Sequence, residues 1–455
     1  MSPTTQTKPH TYGLPVPDPT PSYWQLPPHP LANHRTTSSL PTTDETQDII
    51  ILGSGITGAA TAFKLLHPSH PNSSHNPGIP NADANAKTKI LMLEARTAAS
   101  GASGRNGGHC RAGWWTQFRK HVETFGEAEA LKFAELEEGN VRDIAAFVQE
   151  FDVECGFREV ESAELFATET GFAEAKEVVE FREEASRRHK VCLCERKVWS
   201  GREAREHMGM DAIVGGMTYP AYTLNPYQLV CRMLELSLAR GLNLQTNTPA
   251  LSVTRSADDS DLWDVVTERG VVRGRHVILA TNGYTNLLHP SLTATGFLTP
   301  ARSQVTALRT RATTADHPAR NQSAGIDDFE KGGYFHFRPT DAIGDPGPLI
   351  YGGGRSVSKT REMNTVDDST VHEGIAAYLH EAPRRLFGTE SWGGGDKDDD
   401  EVLMDWTGVT CYTPDTFPLV GQAPGERGLW MSAGMSGHGS KFSHRLTASL
   451  PVCDW

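Results

Sequence analysis

Gly53-Ser54-Gly55-Ile56-Thr57-Gly58 follows the apolar run at 48–52, and Glu94 closes a second apolar run at 89–93. This is the spacing of a dinucleotide-binding βαβ unit. The first glycine permits a tight turn after the strand. The second lets backbone approach a pyrophosphate, and the third lets the helix pack close to the sheet with its N-terminus toward the phosphates. Glu94, with Ala95 and Arg96 beside it, is placed to accept hydrogen bonds from a ribose 2′-OH. Gly53 and Glu94 lie further apart than the roughly 20 residues usual for this fingerprint. The excess is an insert at 67–87, rich in Pro, Asn, Ser, His and Ala, which reads as a solvated loop.

Four more segments carry candidate chemistry. Ser100 to His109 is a run of small residues containing Ser103-Gly104-Arg105-Asn106-Gly107-Gly108. Ala280-Thr281-Asn282-Gly283 ends a strand, and 415–421 and 432–439 are two further glycine-containing segments. Outside these four, Tyr334-Phe335-His336-Phe337-Arg338 alternates as a strand and places Tyr334, His336 and Arg338 on one face.

Elements must position these segments. Residues 116–150 form a helical pattern with Phe133, Leu136, Val141, Ile144, Phe147 and Val148 on its apolar face. Further helices are expected at 169–190, 226–240 and 367–387. Pro226 and Gly241 bound the second of these as helix ends prefer. Strands are expected at 242–245, 250–254, 262–267, 276–280, 303–308, 333–338 and 348–352. The chain divides into a Pro-rich arm at 1–46 that lies on the surface, a nucleotide domain (47–115, 220–300, 405–440), a substrate domain (116–219, 301–404) and a tail at 441–455.

Composition narrows the class. The chain has 455 residues, 38% apolar, with a net charge of −13. That is enough for two domains and disfavours nucleic acid as a partner. No apolar run reaches the ~18 residues of a membrane span, and no secretory signal is visible. The seven cysteines are scattered, with no zinc spacing. No metal is expected, and the chain reads as cytoplasmic.

Taken together, the five segments resemble the D-amino-acid oxidase-like superfamily of FAD-dependent oxidoreductases, across about 47–440. The 103–108 run is similar to enzymes of the sarcosine-oxidase and gamma-glutamylputrescine-oxidoreductase type, and Pro21-Ser22-Tyr23-Trp24 resembles fungal members. The resemblance implies an α/β fold: a Rossmann-like FAD domain interleaved with an α+β substrate domain on a mixed, largely antiparallel sheet. It implies that 103–108 lies against FAD, with Arg105 adding positive charge near the phosphates. Ala250 and Leu251 would meet the adenine, Thr281 to Gly283 the phosphates, and Gly434, Gly437, His438 and Gly439 the flavin pyrimidine edge. His109 or Cys110 would be the attachment point if FAD were covalent; a non-covalent flavin is expected. Tyr334, His336 and Arg338 would face the substrate, Arg338 pairing a carboxylate, with Arg302 and Tyr351 as weaker candidates.

The function implied is oxidation of a C–N bond of an amine or amino acid, with hydride passing to flavin N5 and then to O2 or another acceptor. The alternatives are an FAD-dependent tailoring enzyme of secondary metabolism, or an inactive product. The second rests on the tail after Gly439, which lacks an amphipathic face, contains Pro451, and reads as an aberrant frame without a core-covering helix. A different C-terminus would leave a peroxisomal address open.

Overall fold

The computed structural model describes residues 12–67, 88–309, 317–327, 332–340, 347–388, 392 and 401–437. Most of the 67–87 insert, the loop at 393–400, His438, Gly439 and the tail lie outside the described residues.

The first sheet is built around β1 (Gln47–Leu52). It runs parallel to β2 (Ile90–Leu93) on one side and β10 (Gly270–Leu279) on the other. β7 (Asn243–Gln245) extends the sheet beyond β2, and β17 (Leu429–Ala433) beyond β10, both parallel. β16 (Leu419–Gln422) closes one edge antiparallel, and the hairpin of β8 (Ala250–Arg255) and β9 (Trp263–Thr267) pairs with the first half of β10. β1 is apolar from Ile49 to Leu52 because both its faces are covered there. Ile49 and Ile51 enter one core with Phe63, Met92, Leu229 and Met233, while Ile50 and Leu52 enter another with Leu91, Val277 and Leu279.

Helices Ile56–Leu66 and Pro226–Ala239 share the first of those cores. The second helix starts where Asn225 caps it, its side chain accepting from Tyr227 N and Gln228 N, with Pro226 next. The stretch expected as one helix at 116–150 is two, Phe118–Phe125 and Glu127–Glu150, broken at Gly126 with φ 87°. The longer one buries Val141, Ile144 and Phe147 in the core it shares with helix Ile56–Leu66, the Phe147 ring edge-on to Phe63 at 5.2 Å. A segment assigned from the sequence to the substrate domain thus completes the core of the other.

The second sheet runs β15 (Glu401–Tyr412), β11 (Thr299–Arg309), β14 (Leu349–Gly353), β13 (Gly333–Phe337), β12 (Gln322–Asp327), β4 (Arg158–Phe166), β6 (Gly215–Thr223) and β3 (His109–Cys110), with β5 (Lys197–Ser200) also on β6. All neighbours are antiparallel except β12 and β4. On β13 the alternation holds. Phe335 and Phe337 enter a core with Tyr351, Leu379 and Phe387, while Tyr334 and His336 face the 105–109 segment.

The helix expected from 367 begins at Glu373, capped by the His372 side chain. The residues before it stay outside the helix, where Asp368 is drawn inward to Arg96. The N-terminal arm, expected on the surface, is also drawn in: Thr20, Ser22 and Trp24 are buried.

Gly58 sits where an added Cβ would collide with Gly53 O. Gly58→Ala is expected to destabilise the fold by about 1–3 kcal/mol. A shift of the urea midpoint at unchanged slope measures this.

Candidate functional site

A cavity of about 460 Å³ lies between the two sheets, within the roughly 300–1,000 Å³ typical of small-molecule and cofactor sites. Its lining begins at the carboxyl ends of β1, β2 and β10 with Gly53, Gly55, Ile56, Thr57, Glu94, Ala95, Arg96, Thr281 and Asn282. Ala250, Ser103, Arg105, Asn106 and Gly107 continue it, Gly437 follows from beyond β17, and His109, Arg111, Tyr334 and Tyr412 complete it from the second sheet's side.

The turn after β1 is locked in place. Gly53 adopts φ 101°, and a Cβ there would stand 2.7 Å from Ala280 O, so only glycine serves. The Glu94 carboxylate accepts from Ser54 N at 2.9 Å, Ser54 Oγ at 2.7 Å and Arg96 N at 2.9 Å. It therefore holds the turn while lining the cavity. Ser103 Oγ accepts from Ile56 N at 2.8 Å and joins the small-residue loop to the helix start. A Cβ on Gly107 would stand 2.5 Å from Tyr334 Cε2. A helix N-terminus, an acid at a strand end and a floor of small residues meet in one cavity, and this donor set fits FAD.

Similarity to known proteins agrees. The DAO family, described as FAD dependent oxidoreductase, matches residues 48–447. The chain belongs to the DAO family. A probable oxidoreductase OrdL of Haemophilus influenzae is 22% identical over 250 residues, 54% of this chain and 52% of the relative. The chain thus spans about half the length of that relative. Among solved structures, L-proline dehydrogenase from P. horikoshii superposes with a TM-score of 0.65 at 16% identity, over 91% of this chain and 93% of the other. Glycine oxidase from Geobacillus kaustophilus gives 0.62 at 19%, over 89% and 92%. These likenesses show the fold, which is the one the sequence implies.

Not every residue singled out in the sequence reaches the cavity. Ser54, Gly58, Gly104, Gly108, Leu251, Gly283 and Gly434 lie outside its lining. Gly104 O accepts from Ser22 Oγ and Gln25 Nε2. Gly434 N donates to Asn282 Oδ1 at 3.2 Å. A Cβ on Gly283 would stand 2.9 Å from Pro300 Cβ. His438 and Gly439 are among the residues not described.

Arg105 lines the cavity but does not act as a loose phosphate cation. Its Nε donates to Ser100 O at 2.7 Å and Nη1 to Thr407 O at 2.9 Å. Burial lowers its pKa to about 10, partly offset by Asp368 at 3.6 Å.

The substrate strand divides in the same way. Tyr334 reaches the cavity; His336 and Arg338 do not. His336 is fully buried, with Nε2 2.8 Å from Gly107 O. Arg338 lies over the Trp24 ring at 5.1 Å. Arg302 is held by Glu362, and Tyr351 is in the second core. Of the two attachment candidates, His109 lines the cavity, its Nδ1 2.7 Å from Ser323 Oγ, while Cys110 is buried in the core. Among the described residues no cluster could hold a metal ion, and no helix is long and apolar enough to cross a membrane.

Besides Arg96 and Arg105, the cavity lining carries Arg111. Its Nη1 donates to Glu164 Oε1 at 2.9 Å and Ser162 Oγ at 3.2 Å, and Tyr219 OH donates to the same Glu164 oxygen at 3.0 Å. Burial disfavours its charge, but Glu164 and Tyr219 outweigh that and raise its pKa. A signal for it existed: Arg111 is two residues beyond His109, and in an extended segment i and i+2 share a face. Burial raises the Tyr334 phenol well above its usual value, so it stays protonated.

Burial, reinforced by Arg338, holds the His336 pKa down to about 3, and burial with Arg275 does the same for His276. The unfolded chain takes up protons as pH falls through about 6.5, while the folded chain does not until about 3. Stability is therefore full above pH 6.5 and falls from there toward pH 3, by up to about 1.4 kcal/mol per pH unit for each such histidine. Urea midpoints across that window are expected to show the slope, and His336→Gln to reduce it by about one proton.

Proposed function

We propose that the protein oxidises the C–N bond of a small amine or amino acid. Bound FAD supplies the two-electron acceptor for the hydride that leaves the carbon bearing nitrogen. The observation that carries the reading is the placement of His109, Arg111, Tyr334 and Tyr412 in the same cavity as Gly53, Gly55, Ile56, Thr57 and Glu94. Support comes from the solved relatives, which are named for acting on L-proline and glycine.

The residues divide the work. Glu164 and Ser162 hold one side of the Arg111 guanidinium, so its direction is set before a substrate arrives. Arg111 then pairs a substrate carboxylate and fixes the reacting carbon. The protonated Tyr334 donates a hydrogen bond beside it, and His109 holds its proton arrangement through Ser323. The role given to Arg338 by its sequence position passes to Arg111. A tailoring enzyme for bulky apolar metabolites is less well matched to a wall carrying these polar groups.

Anaerobic mixing of the flavin-loaded protein with a panel of primary and secondary amines and amino acids tests the reading through loss of flavin absorbance. Amino acids are expected to reduce it, and Arg111→Ala to raise their KM by about 10–100-fold with a smaller change in kcat. A panel that never bleaches the flavin contradicts the reading. Hydrogen peroxide formed on admitting air distinguishes O2 from another acceptor.

A further inference from the structure

The N-terminal segment holds the flavin-side loop from behind. Ser22 Oγ donates to Gly104 O at 2.7 Å, and Gln25 Nε2 donates to Gly104 O at 3.0 Å and Ser100 O at 3.2 Å. Trp24 Nε1 donates to Asn106 O at 2.6 Å. Trp24 is 1% exposed. Its ring lies 6.2 Å from His336 and 6.5 Å from Trp406, and a Cβ on Gly108 would stand 3.0 Å from it. At the other end of the segment, Leu14 and Pro15 line the cavity, and Val16 O accepts from Arg96 Nη1 at 3.3 Å.

We infer that residues 12–25 form a wall of the FAD site, latched by Trp24, so that docking of this strap and binding of flavin are one coupled equilibrium. The physical reason lies in the peptide between Asn106 and Gly107. A trans peptide points its C=O and N–H in opposite directions. With Asn106 O held by the Trp24 indole, the Gly107 N–H is turned away from the indole, at a residue that lines the cavity. Trp24 is thus a positioning residue that acts through Gly107. Leu14 and Pro15, beside Arg96, cover the end of the cavity that Glu94 lines. By linkage, a ligand that requires the docked strap must in turn hold it docked.

Two measurements decide this. The first is proteolysis of the wild-type protein, with cuts in residues 12–35 located by mass spectrometry, without FAD and with FAD at about one hundred times its Kd. Cleavage of the strap is expected to slow at least about tenfold with FAD. The second is FAD affinity by fluorescence quenching for Trp24→Phe, which keeps an aromatic ring but loses the indole donor, and for Leu14→Ala at a partly exposed position. Trp24→Phe is expected to weaken FAD about five- to tenfold at a temperature where its apoprotein is still folded, and Leu14→Ala about threefold. An equal cleavage rate with and without FAD overturns the inference. So does an affinity within about twofold of wild type in both variants. If Trp24→Phe does not fold, the proteolysis and Leu14→Ala still decide. Wild-type protein that binds no FAD overturns the cofactor assignment itself, an outcome separate from indifference of the strap.

Discussion

One buried carboxylate, Asp368, ties the two halves of the site together. Its two oxygens accept from both terminal nitrogens of Arg96, at 2.9 and 3.0 Å, and Arg105 Nε lies 3.6 Å away. Its backbone oxygen accepts from Thr20 N at 2.8 Å and Thr407 Oγ1 at 3.1 Å. Five stretches of chain therefore meet at one point: the strap, the end of β2, the small-residue loop, the segment before helix Glu373–Phe387, and β15. A buried charge without partners costs several kcal/mol. The arginines and Asp368 are stable inside only together, which commits these five stretches to one arrangement. The cavity is what that arrangement leaves between the sheets.

The second sheet forms its wall of the cavity by omission of side chains. Across β4, β12, β13 and β14 the register aligns Glu164, Gly325, Tyr334 and Gly352 in one row. A Cβ on Gly325 would stand 2.7 Å from Arg111 Nη2, and one on Gly352 2.5 Å from Tyr334 Cε2. The two glycines let the Arg111–Glu164 pair and the Tyr334 ring lie flat on the sheet. Gly107 gives the same clearance from the opposite side, under Tyr334. Glycines in two domains thus create the space into which the chemistry-bearing side chains fold.

What could be read from the sequence follows from locality. The 53–58 turn and Glu94 were legible because a strand, a turn and a helix start are contiguous, and their spacing carries the geometry. The direction of Tyr334 was legible from strand alternation. Arg105, His336 and Arg338 misled because residue type announces charge but not where a partner waits. Arg105 meets Thr407 O, and Arg338 meets the ring of Trp24, both distant in the chain. The strap was misread for the same reason. A Pro-rich arm has no periodicity of its own, and its burial depends on carbonyls of a loop far along the sequence. Asp368 looked like the start of a helix, since its pairing with Arg96 is a purely tertiary fact.

The most direct test of the whole account is the absorption spectrum of the purified protein, recorded before and after acid precipitation. The account predicts a flavin spectrum with a maximum near ~450 nm that passes into the supernatant, as expected of FAD held without a covalent bond. Flavin retained in the pellet would place a bond at His109, the attachment candidate that lines the cavity. A colourless protein that takes up no FAD on addition would contradict the account at its centre.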